Sequence, residues 1–107
     1  MCGIVGIFSS DGATVRADLR RMANQIRHRG PDSQGFWEDR EAGVALAHCR
    51  LAIVDLSPAG HQPMQSPGSR FILTYTGEIY NHEILRKELE SLGKRCWQGH
   101  SDTEVLL

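Results

Sequence analysis

MCGIVGIF (Met1–Phe8) places a cysteine directly behind the initiator methionine, then a glycine, then a short apolar run. Ile4, Val5, Ile7 and Phe8 are β-branched or aromatic and read as a buried strand. Cys2 is open to two readings. It is either a small cysteine at the edge of that strand or, once Met1 is removed, a thiol beside a free α-amino group. An internal cysteine has an amide nitrogen and no base of its own. A free α-amine has a pKa of about 7.7–8.0 and accepts the thiol proton directly or through water.

Working outward, SSDGAT is turn chemistry, and a helix is expected from about Thr14 to Ile26 with Thr14 as N-cap. Leu19, Met22, Ala23 and Ile26 share one face of it. RHRGPDSQG breaks that helix, because Gly30 and Pro31 do not continue it. Phe36 and Trp37 begin a short strand, REAG at 40–43 reads as a hairpin turn, and VALAHCRLAIVDL is strand-rich with a break near Arg50. PAGHQPMQSPGS reads as a loop. RFILTYT at 70–76 has the strongest strand composition in the chain and ends at Gly77. Asn81 caps an expected helix, NHEILRKELESLG, with Ile84, Leu85, Leu89 and Leu92 as its apolar stripe and Gly93 at C′. Arg95 to Gln98 is read as a short strand, GHSD as a turn, and SDTEVLL as the start of another helix. Hairpin-like strand pairs with two or three helices indicate an α+β fold with antiparallel sheet. The final helix stops in apolar sequence, so the chain is read as a partial domain.

At 107 residues, 40 % of them hydrophobic and 23 % charged, the chain suits one domain with a modest core. A formal net charge of −1 gives no electrostatic reason for nucleic acid or an anionic membrane as partner. No run approaches the roughly 18 apolar residues of a membrane span, and no basic region precedes the first apolar stretch as in a signal peptide. The expected compartment is the cytoplasm. Three cysteines at wide spacings, without C-x-x-C, argue against a disulfide framework or a zinc site. The five histidines form no i, i+4 pair, so no metal is expected.

Several residues stand out for chemistry, each with a plain structural alternative. Arg27, His28 and Arg29 precede a Gly-Pro turn and suit either an anion or solvent. Arg50 lies in apolar strand context, so its guanidinium needs solvent, a carboxylate or an anionic ligand. Gly77 follows a strand with an unobstructed N–H, the kind of donor an oxyanion requires, and Glu78 comes next. Asp102 stands at a helix start, where it reads as an N-cap whose second oxygen can meet an ammonium group.

MCGIVGIF, RHRGPDSQG, LAHCRLAIVDLSPAGHQPM, GEIYNH and SDTEVLL, in this order, resemble the N-terminal glutaminase domain of class II glutamine amidotransferases, in the branch of glutamine-hydrolysing asparagine synthetases. The resemblance runs from Met1 to Leu107. It implies the N-terminal nucleophile hydrolase fold, antiparallel sheets sandwiched between helix layers, present here as a truncated domain over 1–107. It implies hydrolysis of glutamine to glutamate and ammonia, with ammonia passed to ATP-dependent asparagine synthesis by a missing synthetase domain of the same polypeptide. A homodimer is one assembly open to it.

By the same resemblance Cys2 is the nucleophile, Arg50 pairs with the substrate carboxylate, and Glu78 and Asp102 hold its ammonium. Arg50, Leu51, Ile53 and Val54 line the pocket. Gly77 N–H donates to the oxyanion. No cofactor is implied for this segment, since ATP and Mg²⁺ belong to the synthetase domain. One position departs from the pattern. The family expects asparagine before the GEIYN glycine, as second oxyanion donor, and this chain has Thr76. That departure gives weight to a second reading, a catalytically weak glutamine-binding or regulatory module. A different ammonia acceptor, such as a polysaccharide precursor, is a further alternative.

Overall fold

The computed structural model describes residues 1–10, 15–53, 56–94 and 96–107. Thr14 as a helix cap and Arg95 as a strand start lie outside them. The chain forms β1 (Gly3–Phe8), α1 (Val15–Gln25), β2 (Ser33–Asp39), β3 (Val44–Arg50), β4 (Met64–Gln65), β5 (Ile72–Leu73), α2 (His82–Ser91) and α3 (Asp102–Leu106). The α+β class with antiparallel sheet is what the sequence indicates. β3 is the centre of a three-stranded antiparallel sheet ordered β1-β3-β2, and β4 and β5 form a second, two-stranded antiparallel pair.

The pleat sorts the first sheet into two faces. Val5 pairs with Ala47, Gly3 with Cys49 and Ile7 with Ala45, while Phe36 lies across from Ala47 on the other side. These residues share the face that α1 covers, because side chains alternate along a strand. Val5, Ala45, Ala47 and Cys49 are buried there against Leu19 and Ala23 of α1, with Ile7, Ile26 and Phe36 packed around them. Small alanines on β3 let the helix come close to the sheet. Met22, expected on the same stripe, is 44 % exposed, and Ile4 and Phe8 on the opposite face of β1 are also exposed. β1 is therefore buried on one face rather than both.

The second face of the sheet carries the site. His48 lies on it, opposite Gly35 in the register, yet is only 1 % exposed. The loop through His61 and Gln62 covers both. Gly35 is what allows that approach, since a Cβ there would overlap the backbone carbonyl of Gln62. The β2–β3 turn closes as expected at 40–43, with Gly43 at φ +68° and Ala42 N–H donating to Asp39 Oδ1 at 3.1 Å.

Four local readings are corrected. PAGHQPMQSPGS contains a strand, β4, flanked by 3₁₀ turns at Pro58–Gly60 and Pro67–Ser69. RFILTYT shrinks to Ile72–Leu73, because β4 offers only two residues to pair with. Cys96 to Gln98, the described part of the expected strand, is not a strand: the N–H groups of Gln98 and of the following Gly99 donate to the Glu104 carboxylate at 2.6 and 3.0 Å instead of to a ladder. The cap of α3 is Ser101, whose hydroxyl accepts Glu104 N–H at 3.1 Å, and not Asp102, which is the first helical residue.

Helix α2 has the expected extent. Gly93 N–H bonds to Glu90 O and Lys94 N–H to Leu89 O, the reciprocal pair of a Schellman ending. At its start Asn81 occupies the cap position but makes no side-chain capping bond. Its apolar stripe is not buried: Ile84 is 60 % and Leu92 84 % exposed. No described helix is long and apolar enough to cross a membrane.

Candidate active site

Four segments distant in sequence converge on one cleft of about 400 Å³. The entry to β1 supplies Cys2. The exit of β3 supplies Arg50, Leu51 and Ile53; Val54, expected beside them, lies outside the described residues. The stretch after β5 supplies Thr76, Gly77 and Glu78, and the start of α3 supplies Asp102. Every other residue singled out from the sequence for the site lines this one cleft.

Cys2 is half-buried and fixed by its neighbours. Its Sγ accepts Leu51 N–H at 3.2 Å and lies 3.5 Å from Leu51 O. Its carbonyl oxygen accepts the Thr76 hydroxyl at 3.2 Å and Arg29 Nε–H at 3.3 Å. Arg29 of the RHRG segment is thus placed against the main chain of Cys2. The thiol lies at the mouth of the β3 exit, and β3 is held there by Asp32, whose N–H donates to Arg50 O and whose Oδ2 accepts Ala52 N–H.

The polar groups lining the cleft include one guanidinium and two carboxylates. Arg50 Nη1 donates to Ser57 O at 2.9 Å, which orients the guanidinium from one side. Glu78 lines the same cleft and is exposed. Asp102 is only 6 % exposed, and its Oδ2 accepts Ile79 N–H at 2.8 Å, so the carboxylate that lines the cleft also pins the backbone behind Glu78. The Gly77 N–H has no acceptor among the described residues. A guanidinium, two carboxylates and a thiol lining one cleft are groups that can bind a small zwitterion and react with it. Among the described residues no group of three His, Cys, Asp or Glu side chains is arranged to hold a metal ion.

The sequence reading missed the layer beneath. His48, Gln62, Tyr75 and Thr103 also line the cleft. Burial pushes the His48 imidazole below its ordinary value of 6.5, the charges of Arg50 and His61 push the same way, and the bond to Tyr75 O opposes them. A polar residue at an alternating strand position beside Arg50 was the available signal. Met1 also borders the cleft, 74 % exposed, and makes the nitrogen of Cys2 an amide in this chain.

Comparison with known proteins agrees with this geometry. The family model described as "glutamine amidotransferase domain" matches residues 1–107. A probable asparagine synthetase [glutamine-hydrolyzing] of Dictyostelium discoideum is 40 % identical over 109 residues, covering 100 % of this chain and 19 % of the relative. Asparagine synthetase [glutamine-hydrolyzing] 1 of Bacillus subtilis (strain 168) is 40 % identical over 111 residues, covering 100 % of the chain and 17 % of the relative. Asparagine synthetase B [glutamine-hydrolyzing] of Escherichia coli (strain K12) is 41 % identical over 110 residues, again 100 % of the chain and 19 % of the relative. The chain thus spans roughly a fifth of the length of these curated relatives. With its whole length matched and its thiol and charged residues gathered in one cleft, the chain belongs to the glutamine amidotransferase domain family.

Proposed function

We propose that this domain, on an N-terminal nucleophile hydrolase fold, hydrolyses glutamine to glutamate and ammonia with Cys2 as nucleophile. The observation that carries the reading is the meeting of the Cys2 thiol, the Gly77 N–H, Arg50, Glu78 and Asp102 around one cleft. Removal of Met1 converts the nitrogen of Cys2 from an amide into an amine that takes the thiol proton. Sγ attacks the carboxamide carbon, and the Gly77 N–H meets the oxygen as it gains charge. The C–N bond breaks, the protonated amine returns its proton to the leaving nitrogen, and ammonia departs from a glutamyl thioester. Water then attacks the thioester, giving glutamate and restoring the thiol.

Arg50 pairs with the substrate α-carboxylate, for which a planar fork is matched. Glu78 and the Oδ1 of Asp102 hold the α-ammonium, and Leu51 and Ile53 flank the aliphatic chain. Thr76 has one hydroxyl proton, engaged on the Cys2 carbonyl. It reaches the oxyanion only by exchanging that bond. This favours a second reading, a domain that binds glutamine and turns it over weakly. In either case ATP, Mg²⁺ and asparagine formation belong to a synthetase domain in the same polypeptide, with cytoplasmic location; another ammonia acceptor is the alternative.

The test is glutamate release together with intact mass after exposure to a glutamine-mimicking electrophile. The Met1-free chain is expected to release glutamate and take one adduct on Cys2, blocked by excess glutamine. Cys2→Ala and the Met1-bearing chain do neither. Glutamine binding without glutamate selects the second reading, and turnover by Cys2→Ala overturns both.

A further inference from the structure

Between β5 and the cleft, Tyr75 is held by side chains and not by a strand. Gln62 Oε1 accepts its N–H at 2.6 Å, and His48 Nε2 lies 3.1 Å from its carbonyl oxygen. A carbonyl only accepts, so Nε2 carries the proton and Nδ1 is the bare nitrogen. Both holding residues are buried, His48 to 1 % and Gln62 to 6 % exposure. Gln62 is anchored in turn, its Nε2 donating to Thr103 Oγ1 of α3 at 3.2 Å. The next residue, Thr76, donates its hydroxyl to the carbonyl of Cys2, and Gly77 follows. A continuous path of bonds runs from β3 and α3, through Tyr75, to the main chain of Cys2.

We infer that His48 and Gln62 are positioning residues of this site, gripping the backbone of Tyr75 at both its polar groups and so setting the Thr76–Gly77 peptide against Cys2. The inference rests on the glutaminase reading for its kinetic consequence and on geometry alone for the grip.

A packing role does not explain the choice of residue. Among the described residues Nδ1 of His48 is buried without a partner, a desolvation cost that an apolar side chain would avoid. What the imidazole gives in return is the single bond to Tyr75 O. That bond matters because β5 ends at Leu73. Beyond it, no strand ladder fixes the direction of the Gly77 N–H. An oxyanion donor is useful only when it is already aimed, and a displacement of about 1 Å remote from the chemistry can cost of the order of 10²-fold in rate.

The experiment compares the Met1-free wild type with His48→Leu, His48→Gln and Gln62→Leu. It reads kcat and KM for glutamine, and amide hydrogen exchange resolved to single residues. His48→Leu and Gln62→Leu are expected to lower kcat by about 10- to 100-fold with KM little changed. In both, exchange accelerates at Tyr75, Thr76 and Gly77 while β1 and β3 keep wild-type protection. His48→Gln, whose Nε2 reaches a similar place with a proton, recovers most of kcat and of the local protection.

Wild-type kcat and wild-type exchange at 75–77 in His48→Leu overturn the inference. So does a loss of protection spread over the whole sheet and not recovered by His48→Gln, which makes His48 an ordinary core residue. A wild type that releases no glutamate overturns the glutaminase reading alone, and the exchange pattern at 75–77 still decides the grip.

Discussion

The departure at Thr76 comes down to a count of protons. A threonine hydroxyl has one to give, and the Cys2 carbonyl takes it at 3.2 Å. An asparagine carboxamide has two N–H donors. One can keep the Cys2 main chain in place while the other meets the developing oxyanion. Losing one such donor costs roughly 10²–10³-fold in kcat in a characterised hydrolase. Thr76→Asn in the Met1-free chain is accordingly expected to raise kcat by about tenfold or more, with KM for glutamine near its wild-type value. Steady-state kinetics on the two proteins check it. An unchanged kcat would mean that Gly77 N–H alone, or with water, supplies the hydrogen bonds to the oxyanion. Thr76→Val separates the two duties, because it removes the bond to Cys2 without adding a donor and is expected to lower kcat.

At the scale of elements, the site depends on how closely a loop can lie on a sheet. Gly35 stands opposite His48 on β3, under the loop that carries Gln62. A methyl group there meets backbone, the carbonyl of Gln62, which cannot rotate aside as a side-chain tip would. Gly35→Ala is therefore expected to cost about 1–3 kcal/mol, the usual range for overpacking. A lower urea midpoint with an unchanged slope is the measurement. Lifting the loop also withdraws Gln62 from Tyr75, so the proposed glutaminase activity is expected to fall in the same variant.

This loop shows where sequence reading stopped. β1, α1, the β2–β3 hairpin and α2 were legible because their periodicity and turn residues are local. That Cys2, Arg50, Gly77, Glu78 and Asp102 line one cleft was legible only through the resemblance of their motifs to a family, and their roles there stand as proposed. RFILTYT was overread as a strand over 70–76 because β-propensity says nothing about the length of the partner. Its residue Tyr75 gives its backbone groups to Gln62 and His48 instead. Those two side chains lie 13 and 27 positions away. His48, polar at an alternating position of β3 beside Arg50, was a local signal. Neither separation leaves a trace in local pattern, however, so the pairing of His48 with Tyr75 and the part of Gln62 could not be read from the chain alone.

Across the whole molecule, the buried imidazole of His48 links folding to pH. Its folded-state value lies below the ordinary 6.5, chiefly through burial, with Arg50 and His61 adding to the effect. Above about pH 6.5 the folded and unfolded chains both hold the residue neutral, and its contribution to stability is complete. As pH falls below that point the unfolded chain takes up a proton that the folded chain resists. Stability then declines by at most about 1.4 kcal/mol per pH unit until the folded-state value is passed, where the decline from this residue ends. Protonation leaves the Nε2–H bond to Tyr75 intact but adds an Nδ1–H with no acceptor among the described residues. The loss therefore belongs to global unfolding and not to local release of the cleft. Urea titrations of wild type and His48→Gln at steps from pH 7.5 to pH 5 are expected to show a steeper fall for the wild type, beginning near 6.5. His61 and the carboxylates are present in both proteins, so the difference between the two curves isolates His48. Parallel curves would mean that the imidazole reaches solvent in the folded state.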